Sequence, residues 1–487
     1  MPTIDKRMII RKLDFFSKIN NELIKNNLNF FRGFDLFNSK KPKFSKKDIS
    51  ELWSGHLKER SKAGIKDPLS LYVHIPFCAQ RCNFCCYHSD EYSKERINRY
   101  LESIKNDCEY FKKTFSNIEF NSVYFGGGTP NILNHKQLNR LLSSIFNNFR
   151  VAKRADITTE GIPAFITKRK VALLNRYGIN RFSFGVQSLN KKVLDQSARL
   201  YQTERQIKNA ISFCQKSGVK NINIDLIFGL KSDNDKSFLK SFNKALSFSA
   251  ATVTVYKLRV PKDYYKLFYT KRIENPRDLF KKNYNLSNIF QKMAKAAQKN
   301  NYIFNKEDLG LNYGNQCIVF NRSDFIDEYA HKATYSFFSK NIESCFGLGL
   351  YSQSHTYGKA FYRDANHAFI LDEESKIYTG NTITMNREVL YEMVENLIEF
   401  RYVDTEKINA KFDIDFFKYF TEPIKELTIL KAIKIKKNKL YILDKKIKKT
   451  EAILFFVRSE FLRTLLSVQA FLRKDYFYNL VEEKLSI

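Results

Sequence analysis

The chain contains 487 residues, of which 43% are hydrophobic, so a globular protein with a large core is expected and a disordered one is excluded. Eight cysteines in a chain of this length are too few for a disulfide framework, and grouped cysteines then indicate metal or redox chemistry. No apolar run approaches 18 residues and no signal peptide is recognisable, so we expect no membrane span and a cytoplasmic location.

The formal net charge of +32 raises the question of a nucleic acid, an anionic membrane or an acidic substrate as partner. Residues 1–66 carry 16 Lys and Arg against 7 Asp and Glu, and residues 425–449 carry 10 Lys against 2 acids. Many of these lysines alternate with apolar residues, as on the solvated face of a strand or helix, and no nucleic-acid-binding motif is present. The charge therefore favours a solvated surface over a nucleic-acid partner.

From Leu69 onward, short apolar runs typical of strands alternate with longer helical patterns. The predicted strands are residues 71–75, 123–125, 156–160, 181–186, 221–229 and 252–258. Helices are predicted between them, near residues 94–115, 135–149, 167–177, 203–217 and 235–248. Strands alternating with helices predict a parallel α/β sheet, curved into an open (β/α)6 partial TIM barrel, with functional side chains at the carboxyl ends of the strands.

The sequence predicts four segments. Residues 1–66 are a basic N-terminal extension, and residues 67–300 are the partial barrel, ending in a long helix over 277–300. A glycine- and aromatic-rich segment, residues 301–385, completes the barrel. Residues 386–487 are predicted to form a small C-terminal α/β or winged-helix-like module.

Three closely spaced cysteines follow the first predicted strand: Cys78, Cys82 and Cys85 have the spacing C-x3-C-x2-C. Iron–sulfur clusters are bound by cysteine thiolates, usually four of them. Three thiolates could hold three irons of a [4Fe–4S] cubane and leave the fourth iron open to another ligand, as catalytic metal centres require. A zinc site is one alternative, but zinc motifs have a second Cys or His pair, and only His88 is close. Buried thiols without a metal are the other alternative.

The cysteine segment, YVHIPFCAQRCNFC over residues 72–85, resembles the signature of the oxygen-independent coproporphyrinogen III oxidase-like family of radical S-adenosylmethionine (SAM) proteins. The resemblance extends in order over residues 69–403. Its further segments are GGGTP at 126–130, ITTEGIP at 157–163, RFSFGVQS at 181–188, Arg199, DLIFG at 225–229 and GLG at 347–349. The family includes oxidases, haem chaperones, haem-degrading methyltransferases and natural-product enzymes.

The resemblance implies a radical SAM core whose cluster is held by the three cysteines as catalytic metal ligands, together with one SAM molecule or two. It also implies that a set of residues lies around SAM: Tyr72, Gly127, Gly128, Thr129, Glu160, Gln187, Arg199, Asp225 and Ile227. Their chemistry is compatible with this role, because glycine backbone can approach a ligand closely, carboxylates suit ribose hydroxyls and ammonium groups, and Arg suits a carboxylate. Each polar residue alone also has a structural alternative, such as a salt bridge.

In the resembled family, the reduced cluster passes one electron to SAM, and the resulting 5′-deoxyadenosyl radical attacks a substrate or a second SAM. The resemblance therefore implies a radical SAM oxidoreductase or methyltransferase that acts on a tetrapyrrole, haem-related or other large organic substrate. It also implies an electron donor such as flavodoxin or ferredoxin. The alternatives are a haem-binding chaperone with little turnover and a natural-product methylase or cyclopropanase.

The chain departs from the family's oxidases just after the third cysteine. The oxidases have a fourth cysteine two positions further on, where this chain has Tyr87, and a cysteine stands instead at Cys86. Tyr87 resembles the aromatic residue found at this position in the haem-chaperone branch. The departure argues against decarboxylation of coproporphyrinogen itself. Cys86 is expected to be a packed thiol, and the alternative is a locally reactive thiol.

Overall fold

The computed structural model describes residues 5–25, 43–62, 64, 69–85, 92–199, 201–258, 286–304, 317–325, 344–366, 376–400, 402–443 and 446–456. The chain divides into two compact units, a larger one of residues 44–356 and 362–379 and a smaller one of residues 1–43, 357–361 and 380–487. Among the described residues, no helix is long and apolar enough to cross a membrane. The division into four segments stays a prediction.

The following strands and helices occur along the described part of the chain, in both units. The strands are β1 (Lys43–Ser45), β2 (Leu69–Ile75), β3 (Glu119–Gly127), β4 (Arg150–Gly161), β5 (Arg181–Gln187), β6 (Asn221–Phe228), β7 (Thr252–Lys257), β8 (Tyr302–Ile303), β9 (Cys317–Arg322), β10 (Ser344–Leu348), β11 (Gln353–Thr356), β12 (Ala360–Asp364), β13 (Ile377–Thr382), β14 (Tyr402–Asp404), β15 (Ile433–Lys436) and β16 (Lys439–Ile442). The first eight helices are α1 (Lys6–Lys25), α2 (Lys46–Lys62), α3 (Lys94–Phe111), α4 (His135–Phe146), α5 (Lys168–Arg176), α6 (Lys191–Gln196), α7 (Glu204–Lys216) and α8 (Asp235–Leu246). The later helices span Leu286–Lys299, Met385–Phe400, Thr405–Phe412, Phe416–Tyr419, Thr421–Ile429 and Lys449–Phe456.

The strands from β2 to β7 are parallel neighbours in chain order. The strands that lie wholly within the larger unit follow the order β11-β10-β2-β3-β4-β5-β6-β7-β9-β8. The predicted parallel α/β core is therefore confirmed. Strand β4 begins at Arg150, six residues before the predicted strand. The sequence did not predict this first half, because it is polar and largely exposed and so lacks an apolar run. Strands β9 to β11 occupy a region in which the sequence shows no period.

The parallel sheet has one polar and one apolar face. Register places Ser183 of β5 beside Glu160 of β4 and beside Asn223 of β6, so these three side chains share a face, which we call the inner face. The opposite face carries buried apolar residues, including Val123, Phe125, Phe184, Ile224 and Val253. The helices bury their own apolar stripes, as in Leu138, Leu141, Leu142 and Ile145 of α4. The apolar core therefore lies on the helix side, and polar residues remain for the inner face.

The helices between the strands begin at side-chain caps. Each cap side chain accepts a hydrogen bond from a backbone N–H three residues further on; the caps are Ser93, Asn134, Thr167, Asn190, Thr203 and Asn234. Three of them, Asn134, Thr203 and Asn234, form reciprocal capping boxes. After β3, β4, β5 and β6 these caps start the next helix a few residues beyond the strand, whereas β2 is followed by a longer loop that contains the motif cysteines.

The smaller unit contains helices and a three-stranded antiparallel sheet of order β14-β16-β15. The lysines of β15 are exposed, as expected for a solvated face. Helix α1 packs against the helix Lys449–Phe456, where the rings of Phe16 and Phe455 lie 4.9 Å apart, edge to face. The smaller unit thus combines helices from both ends of the chain with a short antiparallel sheet.

Candidate functional site

The three motif cysteines lie in the loop that follows β2, and all three are partly exposed. A turn joins two of them, because the N–H of Cys85 donates to the carbonyl of Cys82 at 3.1 Å. Asn83, between them, is anchored to the end of α6: its N–H donates to the Ser197 carbonyl at 3.3 Å and its Nδ2 to the Gln196 carbonyl at 3.0 Å. The loop is therefore held at the carboxyl edge of the sheet.

The glycine turn after β3 packs directly against this loop. The N–H of Gly128 donates to the Ile75 carbonyl at 2.7 Å, and the Oγ1 of Thr129 donates to the Sγ of Cys78 at 3.4 Å. A Cβ at Gly128 would lie 2.5 Å from the Phe77 carbonyl oxygen and 3.0 Å from the Cys78 sulfur. Only glycine fits there, so the turn brings bare backbone beside a motif cysteine.

Glu160 lies at the end of β4 and reaches back to the glycine turn. Its Oε1 accepts a 2.6 Å hydrogen bond from the Tyr124 hydroxyl, and its Oε2 accepts one of 3.3 Å from the N–H of Gly127. Burial raises the pKa of Glu160 to about 7, and the nearby Asp225 carboxylate adds to the rise. The Glu160 carboxyl group therefore changes its charge near neutral pH, at the junction of two strands.

Asp225 on β6 is held by neighbouring polar side chains of the inner face. Its oxygens accept hydrogen bonds from the Ser183 hydroxyl at 2.9 Å and from the Asn223 Nδ2 at 2.7 Å. The Asn223 carbonyl oxygen in turn accepts from the hydroxyls of Thr252 and Thr254, at 2.7 and 2.8 Å. Burial raises the pKa of Asp225. This chain of hydrogen bonds fixes the carboxylate across three strands.

Arg181 lies beneath the two carboxylates. Its side chain is buried, with a relative exposure of 3%, and its Nε has no hydrogen-bond partner among the described residues. Its positive charge lowers the pKa of both Glu160 and Asp225, against the effect of their burial. The inner face thus contains two carboxylates and one guanidinium close to the cysteine loop.

Gln187 and Arg199 follow β5. A bulge at the end of β5 places Gln187 in the left-handed region, with φ of 66°, and its Oε1 is buried without a partner among the described residues. Arg199 is 4% exposed; its Nη1 donates to the Cys82 sulfur at 3.1 Å, and its Nη2 donates to the Gly185 carbonyl. The predicted arginine therefore contacts a motif cysteine directly.

Tyr72 and Ile227 lie on the inner face as well. The Tyr72 hydroxyl shares a 2.8 Å hydrogen bond with the Nδ1 of His74, and its ring centroid lies 6.1 Å from that of Tyr124. Ile227 is partly exposed and stands in register with Tyr256 of β7. All the residues predicted to surround SAM thus lie at or near the carboxyl edge of the sheet. Cys86, Tyr87 and His88 lie outside the described residues.

Several polar residues of this site were missed by sequence reasoning. Tyr124 and Asn223 lie within strands and belong to no motif, and Arg181 and Ser183 belong to the RFSFGVQS segment but were not predicted as site residues. Their alternation with buried apolar residues shows that they share a face. Tyr201, two residues after Arg199, places its ring 5.9 Å from the Arg199 guanidinium. These contacts depend on which strands are neighbours in the sheet and on the register between them.

Among the described residues, no three His, Cys, Asp or Glu side chains converge closely enough to bind a single metal ion. A cubane cluster takes each thiolate on a different iron, so its ligands do not converge on one point. One other feature suits a bound polar ligand: among the described residues, the buried Oε1 of Gln187 and Nε of Arg199 have no hydrogen-bond partner. The residues present therefore fit a cluster with a polar ligand beside it.

Comparison with known proteins identifies the superfamily of this domain. Residues 72–245 match the Radical SAM superfamily. The structure of the coproporphyrinogen III oxidase (HemN) from Escherichia coli, described as a radical SAM enzyme, superposes with a TM-score of 0.66 at 21% identity, covering 85% of this chain and 93% of that one. The fold and the site thus define a radical SAM domain.

Two relatives with similar sequences have names that indicate two different functions. The heme chaperone HemW of Buchnera aphidicola subsp. Acyrthosiphon pisum is 32% identical over 211 residues, 43% of this chain and 55% of the relative. The oxygen-independent coproporphyrinogen III oxidase of Escherichia coli is 25% identical over 374 residues, 74% of this chain and 79% of the relative. The match thus spans little more than half of the first relative. Residues 72–245 thus form a Radical SAM domain, whose cofactors are a [4Fe–4S] cluster and SAM, and the chain is similar in sequence to coproporphyrinogen III oxidases and haem chaperones.

Proposed function

We propose that Cys78, Cys82 and Cys85 hold three irons of the [4Fe–4S] cluster and leave the fourth iron to SAM. When bound and reduced, the cluster supplies the electron that cleaves SAM to methionine and a 5′-deoxyadenosyl radical. The supporting observation is that the loop of these cysteines meets three separate structures: the glycine turn at Cys78, Arg199 at Cys82, and the end of α6 at Asn83. These contacts order the loop in the form that a cluster requires.

The polar residues around the loop are proposed to bind SAM, one molecule or two. The backbone of Gly127 and Gly128, with Thr129, suits the amino end of the methionyl group, because no side chain blocks the approach. The carboxylates of Glu160 and Asp225 suit ribose hydroxyls or the ammonium group. Gln187 offers an acceptor and Arg199 a donor that have no partner among the described residues, and Tyr72 and Ile227 are proposed to form the adjoining wall.

We propose further that the protein is an enzyme that acts on a tetrapyrrole or a related large substrate and receives electrons from a flavodoxin or ferredoxin. The support is the relatives named coproporphyrinogen III oxidase, which match about three quarters of the chain. The inner face supports a reactive role, because burial raises the pKa of Glu160 to about 7 and the buried Nε of Arg181 has no hydrogen-bond partner among the described residues.

The test is SAM cleavage by the reconstituted full chain. With SAM and dithionite, and with coproporphyrinogen III or haem added, we expect 5′-deoxyadenosine and about four irons per chain. Cys82→Ser should abolish both the cluster absorbance and cleavage. Cys214→Ala is the matched control, because Cys214 is buried in α7 away from the motif, and it should keep both. A wild-type chain that binds the cluster but forms no 5′-deoxyadenosine with any substrate would contradict the enzymatic proposal.

A haem chaperone is the second candidate, and two observations favour it. The relative at 32% identity is named a heme chaperone, and the position of the oxidases' fourth cysteine is Tyr87 here. In that case the protein should bind one haem per chain and release it unchanged, with little 5′-deoxyadenosine formed. Haem titration followed by mass analysis of the recovered haem distinguishes the two functions.

A further inference from the structure

The loops that follow β3 and β4 are tied together at the carboxyl edge of the sheet. The Nδ2 of Asn131, in the loop after β3, donates to the Ile162 carbonyl at 2.8 Å, and its Oδ1 accepts from the Ile162 N–H at 3.0 Å. Asn131 is 2% exposed, and a Cβ at Gly161 would lie 2.8 Å from its side-chain amide. The amide thus occupies the space that a side chain at position 161 would need.

Lys170 joins the same two loops from the first turn of α5. Its Nζ donates to the carbonyl of Asn131 at 2.7 Å and to that of Phe165 at 3.0 Å, and it pairs with no carboxylate among the described residues. Phe165 ends the short 3-10 turn that follows β4. The ammonium group therefore bridges one backbone carbonyl after β3 and one after β4. We call Asn131 and Lys170 the loop clamp.

The position of Lys170 is unfavourable for a lysine in two respects. The positive end of the helix dipole lies at the first turn of α5, which contains no acidic residue. Lys170 is also partly buried, and this burial lowers the pKa of its ammonium group to about 8. The hydrogen bonds to the two carbonyls offset these costs, which indicates that the loops, and not the helix, hold the lysine in place.

The two clamped loops carry residues of the proposed SAM site. Thr129, two residues before Asn131, donates through its Oγ1 to the Cys78 sulfur at 3.4 Å. Glu160, at the end of β4, accepts a 3.3 Å hydrogen bond from the N–H of Gly127. The loop clamp therefore ties the glycine turn to the end of the strand that carries Glu160.

We propose that Lys170 is a positioning residue for SAM, which keeps the glycine turn and Glu160 together in the arrangement that binds it. The inference rests on the proposed SAM site. Lys170 acts through the two loops and does not itself contact SAM. The cysteine loop has further contacts, to Arg199 and to the end of α6, so the loss of the Lys170 bridge should affect SAM more than the cluster.

The competing explanation is that Lys170 only stabilises the fold. A double-mutant cycle with Glu160→Gln distinguishes the two explanations. If Lys170 positions the glycine turn against Glu160, its substitution weakens SAM binding mainly while Glu160 is intact, and the two losses are less than additive. A general stabilising role predicts additive losses, because the two substitutions then act independently.

The experiment is isothermal titration of SAM into the cluster-loaded full chain. Lys170→Met should raise the dissociation constant about threefold to tenfold at an unchanged iron content. Lys170→Arg, which keeps the charge and the donors, should restore most of the affinity. Arg169→Met is the matched control, because Arg169 is an exposed cation of the same helical turn, and it should bind SAM as the wild type does.

Hydrogen exchange gives a second readout that requires no SAM. In the chain without SAM, the backbone amides of the glycine turn should exchange faster in Lys170→Met than in the wild type or in Arg169→Met, because the bridge to the loop after β4 is lost. Equal exchange in all three chains would contradict the clamp.

The outcomes separate this inference from the proposed function. A wild-type chain that binds no SAM overturns both. Normal affinity in Lys170→Met, or losses that add to those of Glu160→Gln, overturn the role of Lys170 alone. If Lys170→Met takes up no cluster, Lys170→Gln, which keeps a neutral donor, is measured by the same criteria. Loss of the cluster in both variants contradicts a role directed at SAM.

Discussion

The larger unit contains two clusters of charged side chains, one fully buried and one partly exposed, that differ in how their charges are compensated. In the first, which we call the ion-pair cluster, Lys46, Asp107, Asp364 and Lys376 are each less than 5% exposed. The Nζ of Lys376 bonds to Asp107 and lies 3.3 Å from Asp364, and the Nζ of Lys46 lies 3.0 Å from Asp107. The second, the strand-end cluster, consists of Glu160, Arg181 and Asp225, and none of its acid–base pairs lies within ion-pair distance among the described residues.

The two clusters differ in what compensates the burial of their charged groups. In the ion-pair cluster two positive and two negative groups pair directly, and the carboxylates raise the pKa of Lys376 despite its burial. In the strand-end cluster burial dominates, and the pKa of Glu160 rises to about 7. Direct ion pairs thus compensate the burial of the ion-pair cluster, whereas the carboxylates of the strand-end cluster are held by hydrogen bonds from neutral groups.

The largest effect is expected from breaking the ion-pair cluster. Lys376→Met should destabilise the larger unit by about 3–5 kcal/mol, because it leaves Asp107 and Asp364 buried with too little positive charge. The free energy of unfolding can be measured by urea denaturation, followed by the fluorescence of the chain's single tryptophan, Trp53, which is buried in this unit.

The control is Lys47, an exposed lysine in the same helix as Lys46. Lys47 pairs with Glu51 at 3.8 Å, with side-chain exposures of 79% and 67%. Lys47→Met should change the free energy of unfolding by less than about 0.5 kcal/mol. Equal losses in Lys47→Met and Lys376→Met would show that the ion-pair cluster contributes nothing special.

The ion-pair cluster could not have been predicted from the sequence. Lys376 and Asp107 are 269 positions apart, and neither belongs to a motif. Glu160 and Asp225 were predicted as site residues because they end apolar strand patterns and match a family motif. The contact between Glu160 and Tyr124 depends on the register of β3 and β4, which alternation alone does not determine. Sequence thus predicts the strand ends, while the pairing across strands requires the structure.

The next effect concerns the strand-end cluster. If Glu160 binds SAM, Glu160→Gln should weaken SAM binding about tenfold to 100-fold, since hydrogen bonds to a charged group contribute about 1.5–3 kcal/mol. Isothermal titration with the cluster-loaded chain measures the dissociation constant. The same substitution at an exposed acid, Glu119→Gln, serves as the control, because Glu119 pairs with the exposed Arg150. Unchanged affinity in Glu160→Gln would remove Glu160 from the proposed SAM site.

The pH dependence of stability distinguishes the clusters further. The pKa of Glu160 is raised from 4.5 to about 7, so the folded chain holds this proton more tightly than the unfolded chain does. The stabilisation is therefore complete below about pH 4.5 and is lost as the pH rises to about 7, by about 1–2 kcal/mol after allowance for partial exposure. Asp225, whose pKa is also raised, acts in the same direction, so the difference between wild type and Glu160→Gln is the quantity to measure. A difference that does not change between pH 5 and pH 8 would contradict the raised pKa.

The smallest expected effect tests whether the burial of the charges, rather than their presence alone, decides how much these clusters contribute to the free energy of unfolding. Arg150 and Glu119 form a close pair, 2.8 Å apart, yet their side chains are 63% and 51% exposed. Water already solvates both groups, so Arg150→Ala should cost less than about 0.5 kcal/mol and should leave SAM binding unchanged. Urea denaturation in low and high salt measures this, and the small cost should shrink further in high salt because the pair is screened. A loss approaching that of Lys376→Met would mean that the distance between the charges, and not their removal from water, decides the stability of the unit.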